Sequence, residues 1–397
     1  MILPASDGAA LCHNLKVEIA SACKKGSDRM RHLARYFCKR LQSSAEWRRD
    51  LKSKRLIFRM KPTELQHAKH MVRAFYKALD GAEGAAIPAA MAQYCSPNLR
   101  WRGYHPFDEI VGPEAVAQAF WQPLRCALTQ MQRRLDVFMA GENYYSDPGG
   151  IWVCSMGHLM GLFDRPWLNI APTGKLVFLR YCAFHRVEGD QIAETAMYFD
   201  IPHLMMQAGL QPFPPQTASH QVQPGPQTHD GVMFAPQDPA AGAQTLDLIQ
   251  RMVTDLGTWQ GALPLEEELA RTWHQNMLWW GPAGIGATYT IERYAKQHSG
   301  PFRAGFSERS KTQHICRIGE GNFGGFFGWP NFTAVPTGGF MGMPATGKPG
   351  EFRVIDIYRR DGDKLAENWV FIDLLHFWKQ QGVDILRRLE QIAQSAV

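Results

Sequence analysis

At 397 residues, 45% hydrophobic and 20% charged, the chain is too long for one ordinary core and suits two domains of about 100–200 residues each. No apolar run is long enough to span a bilayer. The eight cysteines carry no CxxC pair, which excludes a disulfide framework and a structural zinc site and suits buried thiols in a reducing cytoplasm. The net charge of +6 is local: residues 1–60 hold 14 Lys or Arg against 5 Asp or Glu, and the remainder holds 29 against 32, which excludes nucleic-acid binding by the body of the chain.

In chain order, residues 1–60 form a basic extension with no charged-then-apolar secretory pattern. Within it Met30, Leu33, Ala34, Phe37 and Leu41 recur at helical spacing, so it reads either as a basic amphipathic helix or as a solvated helical or disordered extension. A first domain is expected over 61–210. It opens with the helix "PTELQHAKHMVRAFYKALDG", whose Leu65, Ala68, Met71, Val72 and Phe75 share one face. A second short helix follows; after it come the stretch "NLRWRG" (Asn98 to Gly103), a third helix at "GPEAVAQAFWQPLR" and the Gly-punctuated strand "IWVCSMGHLMGLF". Residues 211–244, rich in Pro, Gln, Gly and Ala, read as a linker, of which "GVMFAP" is apolar enough to pack on a neighbour. A second domain over 245–397 repeats the order, with "NMLWWG" (Asn276 to Gly281) aligned to "NLRWRG" without a gap.

Each half ends in the same sentence. "GDQIAETAMYFDIPHLMMQAG" (Gly189 to Gly209) and "GDKLAENWVFIDLLHFWKQQG" (Gly362 to Gly382) place Gly, Asp, Ala, Glu, Asp, His, Gln and Gly identically. Gly-Asp between two alternating runs predicts a hairpin. Helices followed by an antiparallel sheet, written twice, predict an α+β fold in two tandem domains. Alternation puts Glu194, Ala196, Tyr198 and Asp200 on one face, and Glu367, Trp369, Phe371 and Asp373 on its repeat. A two-residue turn sets His185 opposite Glu194, Tyr358 opposite Glu367 and Asp356 opposite Trp369, and points Arg180 and Arg353 to the other face, a register that a slip would flip.

Carboxylates among aromatic walls suit acid–base chemistry, because apolar surroundings raise their pKa toward neutrality. Asp200 and Asp373 are the pocket candidates; Glu194 and Glu367, next to the turn, are pocket residues or ion pairs. His203 and His376 read as packing residues, and His158 is placed to reach the first pocket. Neither His nor carboxylate spacing suggests a metal, and "GEGNFGGFFG" (Gly319 to Gly328) is a strand-edge signal.

These residues, with "GFMGMPATGK" (Gly339 to Lys348), "DIYRRDGDKLAENW" and "FIDLLHFWKQQG", resemble the SnoaL-like polyketide cyclases of the superfamily named after nuclear transport factor two. The first half matches less closely: Ala196 replaces the Trp, and "DRPWLNI" is inserted before "APTGK". The resemblance implies two cone-shaped domains, each with helices packed on a strongly curved sheet around an apolar pocket. It also implies a cofactor-free lyase or isomerase that closes a ring by aldol-type proton transfer on a hydrophobic carbonyl compound. Carried over, the general acid/base is Asp373, with Asp200 by the repeat and Asp356 as a further candidate. Trp101, Trp279, Tyr198, Trp369 and Phe371 would be walls. Two alternatives stay open. One is a non-catalytic binding or assembly module, pairing within the chain or as a homodimer. The other is an epoxide or ester hydrolase using His158 to orient water.

Overall fold

The computed structural model describes residues 62–257 and 263–395, and both readings of the basic extension fall outside them. The first half begins with α1 (Pro62–Gly81) and α2 (Ala86–Tyr94). Pro62 starts α1 where its missing N–H is not needed, and Ala68, Val72, Phe75 and Leu79 bury one stripe against the sheet. β1 (Cys95–Gly103) and β2 (Glu109–Val111) follow, then α3 (Pro113–Val116), a π-helical turn (Ala117–Trp121) and α4 (Gln122–Ala127). Next come β3 (Leu128–Glu142), β4 (Ile151–Phe163), β5 (Leu176–Glu188), β6 (Gln191–Phe199) and α5 (Ile201–Gln207).

The second half repeats this order. It runs α6 (Pro239–Gly257), α7 (Leu265–Ala270), β7 (Trp273–Trp280), β8 (Ala287–Tyr289), α8 (Ile291–Tyr294), a π-helical turn (Ala295–Ser299) and α9 (Gly300–Gly305). It continues with β9 (Phe306–Ser307), β10 (Cys316–Glu320), β11 (Phe323–Pro336), β12 (Gly350–Asp361), β13 (Lys364–Ile372), α10 (Leu374–Gln380) and α11 (Ile385–Ser395). The first sheet runs β2-β1-β6-β5-β4-β3 and the second β10-β11-β12-β13-β7-β8, with β9 on β11. Among the described strands, β1–β6 and β7–β13 pair in parallel and the others antiparallel. The fold is α+β, two curved and mostly antiparallel sheets, each with its own helices.

The π turns sit at the same place in both copies for the same reason. Pro123 and Pro301 cannot donate to the carbonyl one turn back, and the N–H groups of Gln122 and Gly300 reach instead to the oxygens of Ala117 and Ala295. The wider turn aims Phe120 and His298 at Trp101 and Trp279, with ring centroids 5.3 and 4.0 Å apart.

Two corrections to the sequence reading bear on the site. The hairpin turns are the two residues expected, but a β-bulge follows each, between Arg186 and Val187 and between Arg359 and Arg360. Glu194 therefore faces Arg186, Glu367 faces Arg359, and Asp356 faces Val370. One extra residue reverses which side chains share a face across the hairpin. The stretch read as a linker is a strap across both halves, and its last residues already belong to α6. Gly231 and Met233 bond to the backbone of Phe138, Ser219 pairs with Ala287, and Pro224 accepts from the indole of Trp369 at 3.1 Å. No helix among the described residues is long and apolar enough to cross a membrane.

Candidate active site

The concave side of the second sheet, closed by α6, α8, the π turn and α9, encloses a cavity of about 120 Å³. Its walls are largely aromatic: Trp273, Trp279, Tyr294, Phe302, Phe326 and Phe352. The bulge turns Asp356, Tyr358, Asn368 and Val370 toward it. Asp356 is buried and accepts a hydrogen bond from Asn368 Nδ2 at 3.2 Å. Burial pushes its carboxyl up to about 7, against the stabilising hydrogen bonds of Asn368 and the Tyr358 hydroxyl. A carboxyl poised there both takes and returns protons near neutral pH. His298 stacks on Trp279, and burial lowers it to about 3, so the ring is neutral.

The same place in the first half is filled. Ala183 stands where Asp356 stands in the repeat, and the insertion noted in the sequence carries Trp167 inward to stack on Phe107 at 6.0 Å. Trp101, Phe120 and Phe199 complete an aromatic plug. Around it runs a polar network: Tyr76 Oη to His185 Nε2 at 2.7 Å, His185 Nδ1 to Thr195 Oγ1 at 2.9 Å, and Ser155 Oγ to Tyr181 Oη at 2.8 Å. Trp101 is thus a wall of packed core.

The face that the sequence reading chose for chemistry is the opposite one, where the two halves meet. Tyr198 stands edge-on to Trp329 and donates to Gly328 O at 3.2 Å; Phe371 lies under Arg180. Asp200 caps α5 through His203 N at 3.0 Å and accepts from Ala283 N of the other half at 2.9 Å. Asp373 mirrors it, capping α10 through His376 N at 3.1 Å and accepting from His105 N of the first half at 2.9 Å. Because Arg180 and Arg353 share this face after the bulge, their guanidinium groups lie 4.0 and 3.5 Å from the two aspartates. Burial raises Asp373 to about 6, held back by Arg353 and the two N–H donors. Glu194 is bound by Arg102 at 2.8 Å and Arg186 at 2.9 Å, and Glu367 by Arg359 and Gln227 N.

Comparisons with known proteins follow the same two units. The profile of the SnoaL-like domain matches residues 72–195, and that of the SnoaL-like polyketide cyclases matches residues 330–381. The chain is SnoaL-like in both halves. The solved structures it is similar to include a candidate SnoaL-like polyketide cyclase from Jannaschia, at 19% identity over 39% of this chain and 98% of that one, with a TM-score of 0.31. A protein from Burkholderia thailandensis, like nuclear transport factor two, shares 21% identity over 38% of this chain and 99% of its own, with a TM-score of 0.28. Comparison with curated proteins gives no match.

Of the predicted site residues, the SnoaL-like cavity brings together Asp356 and Trp279. His158 lies on the outer face of β4, its Nδ1 3.2 Å from Asp136 and its ring edge-on to Phe178, away from the first half's interior. His105, Asp108 and His376 have ligand atoms within 4.8 Å of one another, but Arg353 bonds to Asp108 at 2.5 Å and Lys379 approaches His105 at 3.5 Å. The cluster is part of a polar network across the halves in which Arg353 and Lys379 engage Asp108 and His105. Sequence reasoning missed Asn368, His298, Asn331 and His314. His298 was findable, since it replaces Phe120 when the two π turns are aligned. His314 has no counterpart in the first half and left no signal.

Proposed function

We propose that the second half is the working SnoaL-like site, a cofactor-free lyase or isomerase in which Asp356 moves a proton on a hydrophobic carbonyl compound. The observation that carries this reading is Asp356 itself, a buried carboxyl on an aromatic cavity with its pKa raised to about 7. As carboxylate it takes the proton from the carbon beside the carbonyl, giving an enolate. In the aldol case the enolate carbon bonds to a second carbonyl carbon of the same molecule, and the resulting alkoxide recovers the proton from Asp356. The cavity, a little under the ~150 Å³ that suffices to bind benzene, is on the scale of a single ring. The test is α-hydrogen exchange in D2O, followed by NMR, on a panel of single-ring aryl and cyclic ketones. Exchange by the wild type and its loss in Asp356→Asn are expected; exchange undiminished in the variant, or none with any ketone, refutes the assignment.

The assembly reading is favoured by the outer faces, where Asp200 and Asp373 are engaged across the halves. It differs in expecting no exchange at all. The hydrolase reading loses its water-orienting residue, because His158 lies on the outer face.

A further inference from the structure

His314 lines the cavity, stacked on Phe326 at 3.8 Å, and its two nitrogens are unequal. Nδ1 faces the Arg317 guanidinium, which approaches with Nη2 at 2.8 Å and Nε at 3.3 Å. A guanidinium only donates, so Nδ1 must accept. Burial, with Arg317 and Arg309 nearby, keeps the imidazole neutral. The single proton is therefore on Nε2, and Nε2 is buried with no partner. A buried donor is costly to leave unpaired, which calls for an acceptor that is not part of the protein. Asn331 Oδ1, on the same cavity, is also buried without a partner.

The tautomer is set from across the molecule. Arg317 is fixed by Gln250 Oε1 at 2.6 Å, its backbone N–H by Asn143 Oδ1 at 3.0 Å, and Tyr144 and Tyr145 of the first half lie against its guanidinium. The β3–β4 connection of the first half thus positions a donor on the cavity of the second.

We propose that His314 Nε2–H is the hydrogen-bond donor for the carbonyl oxygen of the ligand, with Arg317 as the positioning residue that fixes its tautomer. This rests on the cavity being the ligand site. Asp356 and His314 then divide the work: one holds or moves the proton, the other bears the charge that develops on oxygen.

The experiment uses the full chain at pH 8.5, where Asp356 is carboxylate and cannot donate. The probes are acetophenone and ethylbenzene, one ring with and without the oxygen, with affinity read by calorimetry and the bound carbonyl stretch by infrared difference spectroscopy. In the wild type the stretch should fall below its value in hexane. His314→Phe should weaken acetophenone about three- to tenfold while leaving ethylbenzene unchanged. His314→Gln, which keeps a donor, should retain the preference, and Arg317→Met should lose part of it. An unshifted carbonyl in the wild type, a measurement needing no variant, overturns the donor assignment. So does an equal change for both probes in His314→Phe. If neither probe binds the wild type, the ligand-site reading falls and the donor assignment with it.

Discussion

Replacing Asp356 by Asn should raise stability and abolish proton transfer together, with a pH dependence that identifies the cause. The folded carboxyl sits at about 7 against an ordinary 3.8. The folded state therefore holds a proton that the unfolded chain releases between about pH 4 and 7. Stability contributed by that protonated state is present below pH 4, declines as pH rises, and is gone above about 7. At ~1.4 kcal/mol for each pH unit, the buried charge costs about 4 kcal/mol at pH 8. Asn is close in shape, still accepts from Asn368 and never ionises. Urea unfolding of both proteins at pH 4.5, 6, 7 and 8 should give curves that nearly coincide at the lowest pH and separate progressively toward the highest, the variant being the more stable. Parallel pH profiles would refute the raised pKa, and with it the reason for naming this residue as the acid/base.

Asp373→Ala removes a helix cap, leaves His105 N–H without its acceptor and takes from Arg353 one of its two carboxylates, Asp108 remaining, so it should cost about 2–4 kcal/mol in urea unfolding; a loss under about 1 kcal/mol would mean that the halves do not meet there. Gly281→Ala would set a Cβ 2.0 Å from the Trp279 ring and 2.6 Å from Gly286 O. It should displace Trp279 from His298 and end acetophenone binding, whereas Gly103→Ala, equally close to Trp101, should lower Tm and leave binding intact. Lys69, buried in α1, bonds to Met233 O at 2.7 Å and Glu320 Oε1 at 2.5 Å, tying the first half to the strap and to β10. Lys69→Met should cost about 3–5 kcal/mol by stranding Glu320, and adding Glu320→Gln should recover part of it in the double-variant unfolding curve.

The architecture was legible because both copies obey local rules: helical spacing in α1, alternation in β6 and β13, and Gly-Asp at both turns. The site was legible only in part, and the reason is a single residue. The bulge after each hairpin turn leaves no mark that alternation can detect, yet it reverses which face Arg180, Arg353 and Asp356 share with their neighbours. The repeated Asp200 and Asp373 suggest chemistry on sequence alone, and in the structure each caps a helix and accepts an N–H of the other half. The informative positions were those where the copies disagree: Asp356 against Ala183, His298 against Phe120, and an inserted Trp167.

The reciprocal bonds of Asp200 to Ala283 and Asp373 to His105 are those of a two-fold dimer written in a single chain. In a dimer of identical subunits each substitution appears on both sides, so closing one cavity closes both and an acid lost from one is lost from the other. Covalent fusion lifts that constraint. One copy can then change into a rigid buttress while its twin keeps an open chamber, which makes asymmetry heritable without a second polypeptide to assemble.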